Sequence, residues 1–413
     1  MTLFKRIGIF LASIAPGLFL IGYNIGTGSI TTMASSGAAY GMTMIWPLFL
    51  SCLFTYFLIM LFGRYTSLTG QTILGSFRKS FGKGITLFVL VSLLVSEWVS
   101  CMGVMGVVTQ VVQEWSRPLT RSGNGIDPVI SALVFGALLY YLFWNGQHRI
   151  FEKVLAAFVG IMGLSFLLTM FMVIPDPEEM IRGLVPTVPG DSEAMLIMAG
   201  MVGTTMGAIL YVVRSILVQE KGWKANDLKR ERRDAIISVS MMFLLSVAVM
   251  ASAAGTLHPL GLKVDNAIDM VKLMEPLAGR FAISVFVGGI VAAGLSSLFP
   301  IILLAPWLIA DFSNRPRRMR SKESRLLVLL GVALGLVVPV FGGRPVLVMV
   351  MSQALTIIVT PLILLLMLIL YNRPSILGKH TLTMSSNIFL AIILIFTLGM
   401  AVAGIVGIFG QLQ

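Results

Sequence analysis

Apolar runs of 18 or more residues recur along the whole 413-residue chain, and no polar stretch between them is long enough for a core of its own. Each run is long enough to cross about 30 Å of hydrocarbon as a helix. Composition agrees: 57% of residues are apolar and 12% charged, where a soluble domain carries about a quarter charged. The chain therefore reads as an all-α integral membrane protein. Eleven spans are expected, at about 7–33, 43–63, 84–113, 127–145, 152–174, 194–218, 235–257, 280–310, 326–342, 345–371 and 387–409. The first run precedes many others, so it reads as a span and not as a cleaved leader.

Loop charge sets the orientation. With the N-terminus in the cytoplasm, 22 of the 30 Lys and Arg fall in inside loops, among them RERR (230–233) and RPRRMR (315–320). That asymmetry is the positive-inside pattern, and it explains the net charge of +12 by topology and anionic lipid, without nucleic acid. The expected location is the plasma (inner) membrane, multi-pass. Cys52 and Cys101 both lie in predicted spans, so no disulfide is expected. By this reading Glu97 and Arg214 are the two charges that lie inside spans away from their ends.

One segment breaks the apolar pattern. YNIGTGSITT (23–32) puts two glycines and a run of hydroxyls inside the first span. Glycine costs a helix about 1 kcal/mol relative to alanine, so Gly26-Thr27-Gly28 invites local unwinding. The sixth span carries a second such stretch, Gly203-Thr204-Thr205-Met206-Gly207. Five spans lie between the two break points if the first is included, so the second five-span unit runs oppositely through the membrane. Two interrupted spans in corresponding positions of inverted halves point to a transport site. Unwound backbone is tolerated at that depth only where it is buried or lines a wet cavity. The competing reading is close helix packing through small residues; Gly203-x-x-x-Gly207 has that spacing and Gly26-x-Gly28 does not. The chain is thus read as one transmembrane domain, residues 1–413, with repeats over 7–174 and 194–371 and an extra helix at 387–409.

APGLFLIGYNIGTGSITTMASSGAAYGMTMIW (15–46) resembles the first span of NRAMP divalent-metal transporters, where a GPG start leads to a DPGN break and a GAxYG turn. GIVAAGLSSLF (289–299) is similar to the AAGQSS segment of that family's eighth span, and LVMVMSQALTIIVTPLILL (347–365) to its tenth. The resemblance implies a LeuT-type fold of two inverted five-helix repeats plus one helix, and transport by alternating access.

The departures change the chemistry. In the family, the Asp and Asn of DPGN hold a metal with a Met sulfur and a carbonyl from the sixth span. Here the Asp position is Gly26 and the Asn position Ser29; the Met position is Gly207 and the carbonyl donor Thr204. The two family histidines become Ile209 and Arg214. A dehydrated divalent ion needs anionic partners in low dielectric, and soft sulfur favours transition metals. No metal site of the usual NRAMP kind is therefore expected. The substrate site is assigned to Gly26, Thr27, Gly28, Ser29, Thr204 and Gly207, with Gln353 lining the path or bracing a helix. Gly and Thr in place of bulkier ligands widen such a site, which suits a cation that keeps its water, as Mg²⁺ does. The same bare amides suit a carboxylate, so an amino acid or other small organic solute stands as the alternative. A non-transporting protein on this scaffold is a third reading.

An intramembrane acid defaults to a functional role. The resemblance puts Glu97 on the family's proton route and Arg214 at a histidine of it, so a Glu97–Arg214 coupling or ion pair is expected. Arginine cannot release a proton, which argues against the usual proton coupling. His148, His258 and His380 fall in loops and form no metal cluster. The 26 methionines are scattered and read as packing. No nucleophilic triad, phosphate loop or carboxylate dyad appears, so no enzyme and no cofactor are expected. The expected partners are a transported solute or ion and membrane lipid. Oligomeric state is left open, a monomer sufficing.

Overall fold

The computed structural model describes residues 26–145, 149–173, 177–188, 190–264, 269 and 279–412. Among them the secondary structure is helical, without strands. The long helices are α1 (Thr27–Tyr40), α2 (Ile45–Thr69), α3 (Ile73–Ser116), α4 (Pro128–Asn145), α5 (Arg149–Val173), α6 (Ser192–Met206), α7 (Ala208–Glu220), α8 (Leu228–Thr256), α9 (Gly279–Phe312), α10 (Lys322–Gly335), α11 (Pro345–Tyr371) and α12 (Met384–Leu412). Among the described residues, nine helical stretches are long and apolar enough to cross a membrane, α6 and α7 counting as one. They follow the second to fourth and sixth to eleventh predicted spans. The first span is described from Gly26 onward. In the fifth, the apolar stretch with described side chains is Gly160–Val173.

Helix ends follow local chemistry. Asp191 caps α6 by accepting from Ala194 N at 2.8 Å, and Thr72 caps α3 by accepting from Gly75 N at 3.3 Å, each pairing an amide that lacks an intrahelical partner. Gly82 kinks α3 with φ +86°, a left-handed conformation that glycine adopts without strain.

α1 and the interrupted pair α6–α7 sit at the centre. α1 packs on α8, α6 and α11, while α3 packs on α9 and α11. These surfaces are close. A Cβ on Gly37 would stand 2.1 Å from the Met250 carbonyl oxygen of α8. One on Gly203 would stand 1.8 Å from the Gln353 oxygen of α11. Large apolar side chains such as Phe171, Ile395, Val402 and Phe409 are exposed on the outer faces. In water such a surface is a liability; against lipid tails it is the expected exterior.

Candidate functional site

The sixth span is broken, by one residue. Gly207 has φ −60° and ψ 140° between α6 and α7. The cause is steric and polar together. A Cβ there would meet the Gly203 oxygen at 2.6 Å and Thr356 Oγ1 at 2.8 Å. The interruption leaves carbonyls of α6 without their next-turn amides, and neighbouring helices supply hydroxyls. Thr356 Oγ1 of α11 donates to the Gly203 oxygen at 3.0 Å, and Thr55 Oγ1 of α2 donates to the Thr205 oxygen at 2.9 Å. The packing reading of Gly203-x-x-x-Gly207 and the unwinding reading therefore both hold: Gly203 admits α11, and Gly207 ends α6.

At the first break, Gly26 is extended and α1 begins at Thr27. The first helical bond is Ile30 N to the Gly26 oxygen, 3.2 Å. No side chain caps this end, so the amides of Thr27, Gly28 and Ser29 precede the helical ladder. The residues before Gly26 lie outside the described part of the chain.

Between the breaks lies a cavity of about 20 Å³, lined by Gly28, Ser29 and Thr204 with Gln353, Met349 and others. That is room for about one water. The remaining lining comes from Ser100 and Val104 of α3 and Ser297 and Ile301 of α9. Four of the sequence-assigned residues thus line one space. Gly26 and Thr27 lie beside it: Thr27 is fully buried, and its Oγ1 faces Gly294, 3.2 Å from where a Cβ would stand. Gly207 abuts Thr356 instead.

The expected widening is absent. The space over Gly28 is filled, since a Cβ there would meet Met349 Cε at 2.5 Å and Gln353 Nε2 at 2.7 Å. The ends of two α11 side chains take up that space. Reading the methionines as packing missed that Met349 faces this cavity. Ser297 stood in a motif matched to the family, yet neither sequence feature marked it as lining. The cavity walls carry hydroxyls, one carboxamide and no ionisable group. Among the described residues, no cluster of three or more His, Cys, Asp or Glu could hold a metal.

The ionisable residues sit elsewhere and pair differently. Glu97 is buried in α3 but is outside the cavity lining. Arg214 is fully buried, and its ion pair runs to Asp234 of α8, not to Glu97. The expected Glu97–Arg214 pair is corrected by the length of α8. That helix starts at Leu228, seven residues before the predicted span, and carries Glu231 and Asp234 inward, both fully buried. In sequence these acids read as part of the charged loop around RERR.

A second, larger cleft of about 950 Å³ lies where the α2–α3 turn, the end of α7 and the segment after α9 meet. It is polar, with Arg317 bridging Glu220 at 3.0 Å and Asp311 at 3.3 Å. It shares no lining residue with the central cavity.

Known proteins share this architecture. A manganese transporter from Eremococcus coleocola superposes with a TM-score of 0.72 at 13% identity, covering 95% of this chain and 85% of that one. The fold is accordingly the LeuT type. A protein named divalent metal cation transporter MntH from Clostridium acetobutylicum is 27% identical over 203 residues, 47% of this chain and 45% of that protein. The chain thus matches about half the length of that relative. A protein of the same name from Erwinia tasmaniensis is 23% identical over 368 residues, 87% of this chain and 85% of that protein. The sequence profile of the natural resistance-associated macrophage protein-like family, Nramp, matches residues 17–407. With nearly the whole chain matched, this membrane-embedded protein belongs to the Nramp family.

Proposed function

We propose that the protein is a secondary transporter that moves a small cation across the membrane by alternating access. Its cargo is a hydrated, Mg²⁺-like ion handled without the usual transition-metal ligands. Family membership supports transport, since relatives carry the name divalent metal cation transporter. The observation that carries the finer reading is the neutral cavity: Ser29, Ser100, Thr204, Ser297 and Gln353 offer oxygens and an amide, and no carboxylate. Such a wall cannot replace the hydration of a divalent ion, whose burial without counter-charge costs several kcal/mol. An ion that keeps its inner water needs only hydrogen-bonding walls. Entry then requires the ends of Met349 and Gln353 to turn away from Gly28. The inverted repeats over 7–174 and 194–371, the inner-membrane location and the cytoplasmic N-terminus belong to the same reading.

A second reading has one observation in its favour. α1 and α7 both start at glycines with no side-chain cap, Gly26 and Gly207. Uncapped helix N-termini favour an anionic group, so a zwitterion such as an amino acid fits their electrostatics. Calorimetry and proteoliposome uptake with Mn²⁺, Mg²⁺ and an amino-acid panel separate the cases. Saturable Mg²⁺ uptake with weak Mn²⁺ binding is expected. Tight Mn²⁺ binding, on the order of the micromolar affinities of ordinary metal sites, would overturn the neutral-site reading; saturable amino-acid binding would select the second.

A further inference from the structure

Three charged side chains meet where α7 and α8 pack on α2: Arg214, Glu231 and Asp234, all fully buried. Asp234 is engaged directly by Arg214 Nη1. Glu231 is held differently. Ser67 Oγ of α2 donates to its Oε1, and its Oε2 has no hydrogen-bond partner. That oxygen lies against Gly63, 2.9 Å from where a Cβ would stand, with Arg214 Nε 3.5 Å from the same point. Arg214 Nε and Nη2 make no hydrogen bond to it or to anything else described. The other groups acting on Glu231 are Asp227, in the turn before α8, and Tyr371 of α11. Asp227 is bound by Arg230 at 3.3 Å, and the Tyr371 hydroxyl donates to the Leu61 oxygen at 2.6 Å. On α2, Arg64 is exposed and Tyr65 buried.

Two carboxylates thus share one buried guanidinium. Arginine keeps its proton under all working conditions, so full ionisation would leave a net negative charge buried in the protein. An uncompensated buried charge costs several kcal/mol, and one proton removes it. Asp234, in direct contact with the guanidinium, stays ionised. Glu231 has only a neutral hydroxyl as hydrogen-bond donor, and the charge of Arg214 reaches it without a hydrogen bond.

We propose that Glu231 is a proton-binding site, loaded while α2, α7 and α8 are packed together and emptied when they part. Loading is protonation of a carboxylate to a carboxylic acid; parting the helices hydrates the group and releases the proton to water. The part this plays in transport rests on the transporter reading, while the proton site rests on the cluster alone. It would restore, one helix away, the titratable group lost when arginine stands at 214.

Infrared spectroscopy of the purified full-length protein, with no cargo added, tests it. A protonated-carboxyl C=O band is expected at neutral pH, diminished in Glu231→Gln and retained for that residue in Glu97→Gln. Thermal unfolding gives a second readout. A carboxyl that binds a proton folded and releases it unfolded makes stability fall as pH rises above the ordinary glutamate range. The wild-type Tm should therefore decline as pH rises above about 5, and Glu231→Gln should flatten that decline. An unchanged band in Glu231→Gln, or a Tm drop equal to that of Asp234→Asn at every pH, would show an ionised structural residue and overturn the proposal. Should Glu231→Gln not fold, carboxyl-¹³C glutamate in the Glu97→Gln background decides: a shifted protonated band supports the site, and its absence refutes it.

Discussion

The middle of this molecule and the junction of α7, α8 and α2 handle polarity in opposite ways. The central cavity has hydroxyls, one carboxamide and no charge. The junction buries an arginine and two acids with no exposed surface. Ionisable chemistry is thus displaced from the middle to the ends of α7 and α8. Broken helices and buried charges are often treated as one signature of an ion path, and here they occupy separate places. The lesson is that a helix break supplies dipoles and backbone, while charge is a separate choice made by individual side chains.

The contrast can be broken most forcefully at Arg214. Replacing it by methionine leaves Asp234 as a bare buried anion, with an expected loss of about 3–5 kcal/mol, read by thermal unfolding in detergent. Adding Asp234→Leu should recover much of that loss, and the double-mutant cycle should report strong coupling. A single variant as stable as wild type would mean that the junction is wet. A smaller effect is expected for Gly207→Ala, whose Cβ must displace the Gly203 carbonyl and Thr356; overpacking of that kind costs about 1–3 kcal/mol. Smallest in stability is Gly28→Ala. Its Cβ meets only the flexible ends of Met349 and Gln353, so about 1 kcal/mol is expected. Uptake should nevertheless fall severely, because those ends lose the room to move. Normal uptake by Gly28→Ala would place the path elsewhere.

Much of the architecture was legible from residue pattern. Apolar runs placed the long helices to within a few residues at most ends, and the glycine-hydroxyl stretches mark the interruption at Gly207 and the start of α1 at Thr27. Two features escaped for definable reasons. Glu231 sits within a run of arginines and Asp234 follows it, so both read as solvated loop, since local composition does not reveal that α8 continues beneath α2. Met349 lies on an apolar helix where a methionine facing a cavity looks the same as one facing a neighbour. Pairings such as Arg214 with Asp234 depend on which helix faces cross, and span order alone leaves that open.

The one-residue interruption at Gly207 has a mechanical consequence. The carbonyls of Gly203 and Thr205 are satisfied by Thr356 and Thr55, not by amides of α7. α7 can therefore pivot about Gly207 while the ladder of α6 stays whole, so no main-chain bond need rupture on the way.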